Sequence, residues 1–345
     1  MDVYTVDPLS DRRWRSLVET HPRASVFHQS GWLQALAETY GYQPLALTTA
    51  PPGEPVTNGI LCCRVSSWIT GTRLVSLPFS DHCDPLTAEG GESGLICALR
   101  RMSEQQKYKY LELRPLSRLV GSEFGMHEGS SFCFHVLDLR DDLTQIFRHF
   151  HKDSIQRKIQ RAEREGLVCE IGTADSLIEE FYRLLIRTRR RHRMLPQPSA
   201  WIKNLVQSLG EHLRIRVARK DRVPVAAMLS LRHGKTVVFK YGCSDERLHN
   251  LGGVPFLFWS LIQESKSAGA ELLDLGRSDW SQPSLIQFKD RLGGVKRTLS
   301  YLRSDDSRTS RSLTALASHI PQAGFSLVPG AVLSVAGRLA YRHLG

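Results

Sequence analysis

The chain has 345 residues, 41% of them hydrophobic and 23% charged, with a formal net charge of +11. This length exceeds the usual size of a single core, so two domains are expected, and the apolar content excludes a disordered chain. The basic excess favours an anionic partner (nucleic acid, membrane surface or phosphorylated substrate), although a solvated basic surface also accounts for it.

Ser30–Tyr40 places Trp32, Leu33, Leu36 and Ala37 on one helical face, with Ser30 as the expected cap and Gly41 as the stop. Extended segments follow at 44–49, 56–65 and 73–77, then a helix at 94–106 and an alternating strand at 108–114. The second half opens with a strand at 132–139, and Asp141 or Asp142 can cap the next helix. Helical stripes continue through Ile155, Ile159 and Ala162, with a break near Asp153, and through Leu177, Phe181 and Leu184. Segments 213–218, 223–231 and 236–241 are three strands whose short connections make them antiparallel. A helix after Gly253, a strand at 271–275, a helix at 283–292 and a strand at 298–302 complete the pattern.

Helices, an antiparallel meander, then β-α-β is the element order of an acetyltransferase fold, and the first half repeats it loosely. The expected class is therefore α/β (α+β) with tandem domains, each a mixed, mostly antiparallel sheet flanked by helices. Residues 1–130 and 131–304 are the expected domains, and 305–345 a linker and an apolar-basic tail.

Seven cysteines, none in a CxxC pair, fit a reducing compartment and offer no metal-ligand spacing, so no metal is expected. The first residues lack the apolar core of a signal peptide, and no run of ~18 apolar residues is present. A cytoplasmic location is expected. The apolar residues of the tail, with Arg338, Arg342 and His343, suit contact of residues 311–345 with the inner membrane face.

Several segments match, in order, motifs of one family: KDSIQRKIQRAEREG (152–166), RRRHRMLP (189–196), KYGCS (240–244), LDLGRS (273–278) and QFKDRLG (287–293). In these the chain resembles the FemAB family, and most closely the FemAB-like proteins found with exopolysaccharide and PEP-CTERM sorting systems, whose domain is BioF2-like. Arg193 stands where that family has glycine. The resemblance covers about 138–303 well and the first half loosely, through FHQSGWLQAL and LVSLPFSD. It implies a GNAT-type fold and transfer of an acyl or aminoacyl group to an amine on a cell-envelope or exopolysaccharide precursor. No permanently bound cofactor is implied; acyl-CoA or aminoacyl-tRNA is the co-substrate. The other class of function is a non-catalytic GNAT-like scaffold for an envelope assembly.

Candidate residues follow from chemistry and family position together. Arg247, Asn250, Gly252 and Gly253 precede a helix whose first amides suit a CoA pyrophosphate, although asparagine replaces the first glycine of the usual loop. The same glycines serve an ordinary strand–helix turn. Asp274, Arg277 and Ser278 end a strand, where Asp274 can orient Arg277 or the amine, and Arg277 can hold phosphate or carboxylate. Lys289 is expected beside that strand end, in a cleft shared with Arg277 and Tyr241, to stabilise an oxyanion or neutralise phosphate. Its removal is expected to stop turnover and spare the fold. Arg157, Arg161 and Arg190 belong to basic helical runs that can grip tRNA or a nucleotide- or lipid-linked substrate, or simply face water. Asp81, within Ser80–Asp84, is a candidate base or substrate contact.

Overall fold

The computed structural model describes residues 2–117, 119–305 and 330–344. The linker beyond Asp305 and the tail before Gly330 lie outside the described residues. The chain divides into two compact units: 1–131 with 299–313 and 338–345, and 132–298 with 314–337.

The first unit holds β1 (Tyr4–Val6), α1 (Arg12–Thr20), α2 (Ser30–Tyr40), β2 (Gln43–Thr48), β3 (Ile60–Val65), β4 (Arg73–Val75), α3 (Ser93–Gln105) and β5 (Leu111–Leu113). Its strands run in the order β1-β2-β3-β4-β5, antiparallel except for β4 with β5. The sequence reading missed β1 and α1. Trp14, Leu17 and Val18 nevertheless give α1 an apolar stripe at i, i+3, i+4. Ser30 lies inside α2 rather than capping it; Gln29 is the cap, and Gly41 ends the helix with φ of +73°. Leu95, Ile96 and Leu99 of α3 pack on Ile60, Cys62, Leu74 and Leu111 of the sheet.

Strand β6 (His127–Asp138) leads into the second unit. There follow α4 (Leu143–His149), α5 (Arg157–Arg164), β7 (Val168–Gly172), α6 (Asp175–Arg191), α7 (Ser199–Leu209), β8 (Leu213–Lys220), β9 (Val223–His233) and β10 (Thr236–Ser244). Then come α8 (Gly253–Ser267), β11 (Leu272–Ser278), α9 (Pro283–Arg291) and β12 (Val295–Arg303). Asp142 caps α4 by accepting the Gln145 N–H at 2.9 Å, and a single π-turn at Lys152–Gln156 makes the break before α5. The sheet order is β6-β11-β10-β9-β8-β7, with β10 and β11 parallel and every other pair antiparallel. This is the mixed, mostly antiparallel sheet flanked by helices expected from the pattern. Phe258, Leu261 and Ile262 of α8 pack with Ile155 and Ile159 against Val237 and Leu273.

Leu302 and Arg303 of β12 pair with Leu113 and Glu112 of β5 in the first unit. A last helix, α10 (Gly330–Leu344), has its first turns in the second unit and its last turns, from Arg338, in the first.

Candidate active site

The parallel pairing of β10 with β11 covers only Thr236–Val238 against Leu272–Asp274, yet β10 runs on to Ser244 and β11 to Ser278. Both strands carry an irregularity where pairing stops. On β10 the register with β9 shifts between Phe239 and Tyr241; on β11 the register with β6 shifts between Asp274 and Gly276. A bulge turns a strand and re-aims its side chains. The two strand ends therefore part beyond Val238 and Asp274.

The local chemistry of β11 follows from Asp274-Leu275-Gly276. The buried Asp274 carboxylate accepts the Gly276 N–H at 2.6 Å, and Gly276 has φ of +72°, a conformation that favours glycine. Asp274 thus shapes its own strand. Arg277 lies with its guanidinium 4.1 Å from the centre of the Phe132 ring. Ser278 is buried, and its hydroxyl has no hydrogen-bond partner among the described residues.

Lys289 is where the sequence reading put it along the chain, but in a different setting. It is 3% exposed, and its ammonium donates to the carbonyls of Gly276 at 2.9 Å and Arg277 at 3.3 Å. Phe288, beside it, packs 5.6 Å from Phe258. The buried ammonium ties α9 to the turn that Asp274 begins. Its neighbour Asp290 meets the buried ring of His135 on β6. Burial holds the His135 proton affinity below the usual imidazole value; the Asp290 hydrogen bond opposes this, and Lys289 adds to it. Sequence reading missed this pair, because residues 155 positions apart carry no local signal.

On the β10 side the Tyr241 hydroxyl accepts the Trp201 N–H at 2.9 Å, so it is engaged with α7. Thr188 of α6 bonds both the N–H and the C=O of Ser244. Asp245 caps the 3-10 turn Glu246–Leu251 by accepting the Arg247 N–H, and pairs with Arg187 at 2.6 Å and Arg247 at 2.7 Å. The Arg247 hydrogen bond, before all other causes, holds the Asp245 carboxyl down to about 2. A pocket of about 450 Å³ lies there, lined in part by Arg183, Arg187, Arg247 and Leu248. Arg183 was not foreseen, although its i, i+4 spacing with Arg187 on α6 was available as a signal.

The glycines before α8 have a packing reason. Gly252 has φ of +77°, and a Cβ there would lie 2.3 Å from the Lys158 carbonyl oxygen; one on Gly253 would lie 2.8 Å from Val225. Asn250 is exposed, and Pro255, in the first turn of α8, has no N–H to offer. The first turn of α8 therefore lacks one amide. Arg157 and Arg161 are exposed on α5, paired with Asp153 at 2.7 Å and Glu165 at 3.8 Å. Arg190, near the end of α6, is half-buried. Arg193 takes φ of +51°, which explains a glycine at this place in the family pattern.

Asp81 lies in the first unit, where its carbonyl accepts from Tyr301 at 2.6 Å. Asp84 accepts from the amides of Leu116 and Ser117, His28 bonds the Asp84 carbonyl, and burial pushes the Cys83 thiol up. Among the described residues no group of His, Cys, Asp and Glu is arranged to hold a metal.

Residues 149–290 match the family model of the acetyltransferase (GNAT) domain. A curated relative from Weissella viridescens, a UDP-N-acetylmuramoylpentapeptide-lysine N(6)-alanyltransferase, is 24% identical over 136 residues. That alignment covers 38% of this chain and only 40% of the relative's length. Among solved structures, FemX superposes with a TM-score of 0.68 at 11% identity, over 88% of this chain and 97% of its own. A tandem GNAT protein from the clavulanic acid biosynthesis pathway does so with 0.53 at 13%, over 88% and 97%. Residues 149–290 are thus similar to a GNAT-type acetyltransferase domain, and the chain shares the fold of FemX.

Proposed function

We propose that the chain is an N-acyltransferase that moves an acyl or aminoacyl group onto an amine of an anionic, nucleotide- or lipid-linked envelope precursor, exopolysaccharide precursors included. The observation that carries this reading is the parting of β10 and β11 at two bulges, inside the residues that match the acetyltransferase family. An acyl group lying there runs between the Phe239–Gly242 stretch of β10 and the fixed turn of Gly276–Ser278. The amine adds to the acyl carbonyl, charge develops on its oxygen, and the C–O or C–S bond breaks as the proton lost by the amine passes to the leaving hydroxyl or thiol. Donors held in advance against that oxygen lower the barrier without reorganising during the reaction. Lys289 acts by holding the Gly276–Arg277 turn and by supplying fixed positive charge beside it. Ser278, buried with an unpartnered hydroxyl, and Arg277 are the groups we assign to the acceptor.

The donor we favour is aminoacyl-tRNA, with acyl-CoA as the other candidate. Packing accounts for Gly252 and Gly253, and the basic residues Arg157, Arg161 and Arg190 can follow a phosphate backbone. The Weissella viridescens relative is named for alanyl transfer, which favours an aminoacyl over an acetyl group. Thermal shift with CoA thioesters, set against binding of charged tRNA at several salt concentrations, separates the donors. A ligand that binds only the folded state stabilises it by ~2.7 kcal/mol at 100 times its dissociation constant. Binding of neither donor would overturn the reading in favour of a non-catalytic scaffold.

A further inference from the structure

Within the first unit, the loop after β3 carries Trp68 and Ile69 at 88% and 51% exposure, and Leu339 of α10 is 64% exposed. A loop that displays a tryptophan to water usually owes this to mobility, but here the loop is tied down. The Ser67 hydroxyl bonds the His343 ring at 2.9 Å and accepts the amides of Ile69 and Thr70. The buried Arg73 guanidinium donates to Thr70 Oγ1 at 2.6 Å and to the His343 carbonyl at 2.9 Å. Trp68 itself lies edge-on to the His343 ring, 5.8 Å between centroids. His343 is one turn beyond Leu339 on the same side of α10, so loop and helix present one apolar surface.

Cations surround it. Arg338 and Arg342, at i, i+4 on the outer face of α10, have no ion-pair partner among the described residues, and the Lys109 side chain lies against Gly71. A held tryptophan beside an isoleucine and a leucine, ringed by unpaired cations, fits an interface that is apolar below and anionic above. No helix of the described residues is long and apolar enough to cross a membrane.

We propose that this surface docks the protein on an anionic phospholipid bilayer, with Trp68, Ile69 and Leu339 entering the headgroup–acyl boundary and Arg338, Arg342 and Lys109 facing lipid phosphates. The proposal is independent of the acyl-transfer reading. Each basic side chain near an anionic surface is worth about a fivefold gain in partition.

Flotation of the full chain with phosphatidylcholine vesicles, with and without phosphatidylglycerol, tests it. The expected result is flotation with the mixed vesicles only, weakened by salt, and reduced at least tenfold in Trp68→Ser/Ile69→Ser. Arg338→Gln/Arg342→Gln is expected to lose about twentyfold. Thermal melting of both variants confirms that they are folded. Two results overturn the proposal: no flotation of the wild type with mixed vesicles, or flotation of both variants equal to that of the wild type. Sedimentation of the wild type supplies a third, since a dimer abolished by Trp68→Ser/Ile69→Ser would put a second copy on this surface.

Discussion

His135 Nε2 stands 3.1 Å from Asp290 Oδ1, joining the inner face of β6 to α9 one residue from Lys289. The helix is thereby fixed in rotation as well as position, and the neighbouring lysine is left aimed at the end of β11. This pair has a pH signature. Burial keeps the folded-state affinity of His135 for a proton below its unfolded value of about 6.5. The unfolded chain therefore binds the proton first on acidification. The contribution is fully present above about pH 6.5 and is lost as the pH falls from there toward the folded value. Urea unfolding at pH 7.5 and 5.5 is expected to show a smaller loss in His135→Gln than in the wild type.

Lys289→Met is expected to destabilise the protein by about 2 kcal/mol, because two carbonyls lose a charged donor. It is also expected to reduce turnover about a hundredfold. Lys289→Arg keeps the charge but not the fit, and should recover part of the stability with little of the activity. Urea midpoints and single-turnover rates measured on the same preparations check both. A stable, inactive Lys289→Met would return to the simpler expectation drawn from sequence.

Arg216 is 2% exposed, donates to Ser230 Oγ at 2.7 Å and pairs with Glu264. Burial lowers its proton affinity, the sign of a charge that needs its partner. Glu264→Ala should cost about 3 kcal/mol by leaving that charge uncompensated. Arg216→Met, which removes the buried charge itself, should cost less than half as much. Equal losses in chemical denaturation would mean that the pair acts only as packing.

Arg193 pays the left-handed backbone penalty that glycine avoids. Arg193→Gly is expected to raise stability by up to about 1 kcal/mol, the conformational gain being partly offset by unfolded-state entropy. Differential scanning calorimetry should find the midpoint unchanged or higher, and a lower one would show that the arginine side chain does more for the fold than its backbone costs.

Where a segment's own pattern decides its structure, the sequence was readable. The helix at Ser30–Tyr40, the meander of β8, β9 and β10, and the Asp142 cap all rest on spacing within a few residues. Strand β7 was missed because Val168 and Ile171 are exposed and only its pairing with β8 makes it a strand. The LDLGRS segment was legible as a site but not as a bulge, since the partner of Asp274 is an amide two residues away on its own chain. Lys289 shows the limit most clearly. Helical spacing puts it ~100° from Phe288, and nothing in that angle tells that the second face is also covered.

The pairing of Leu302 with Leu113 sets an order on synthesis. Residues 132–298 of the second unit form an unbroken stretch, whereas the first unit needs residues 299–303 after its first 131. As the chain leaves the ribosome, β5 therefore waits with one edge unpaired while the whole of that later stretch is made. An open edge invites pairing with other chains, and contacts this distant in sequence form slowly. A nascent chain stalled before Leu299 should accordingly hold residues 132–298 in a protease-resistant state while its first unit still recruits chaperones.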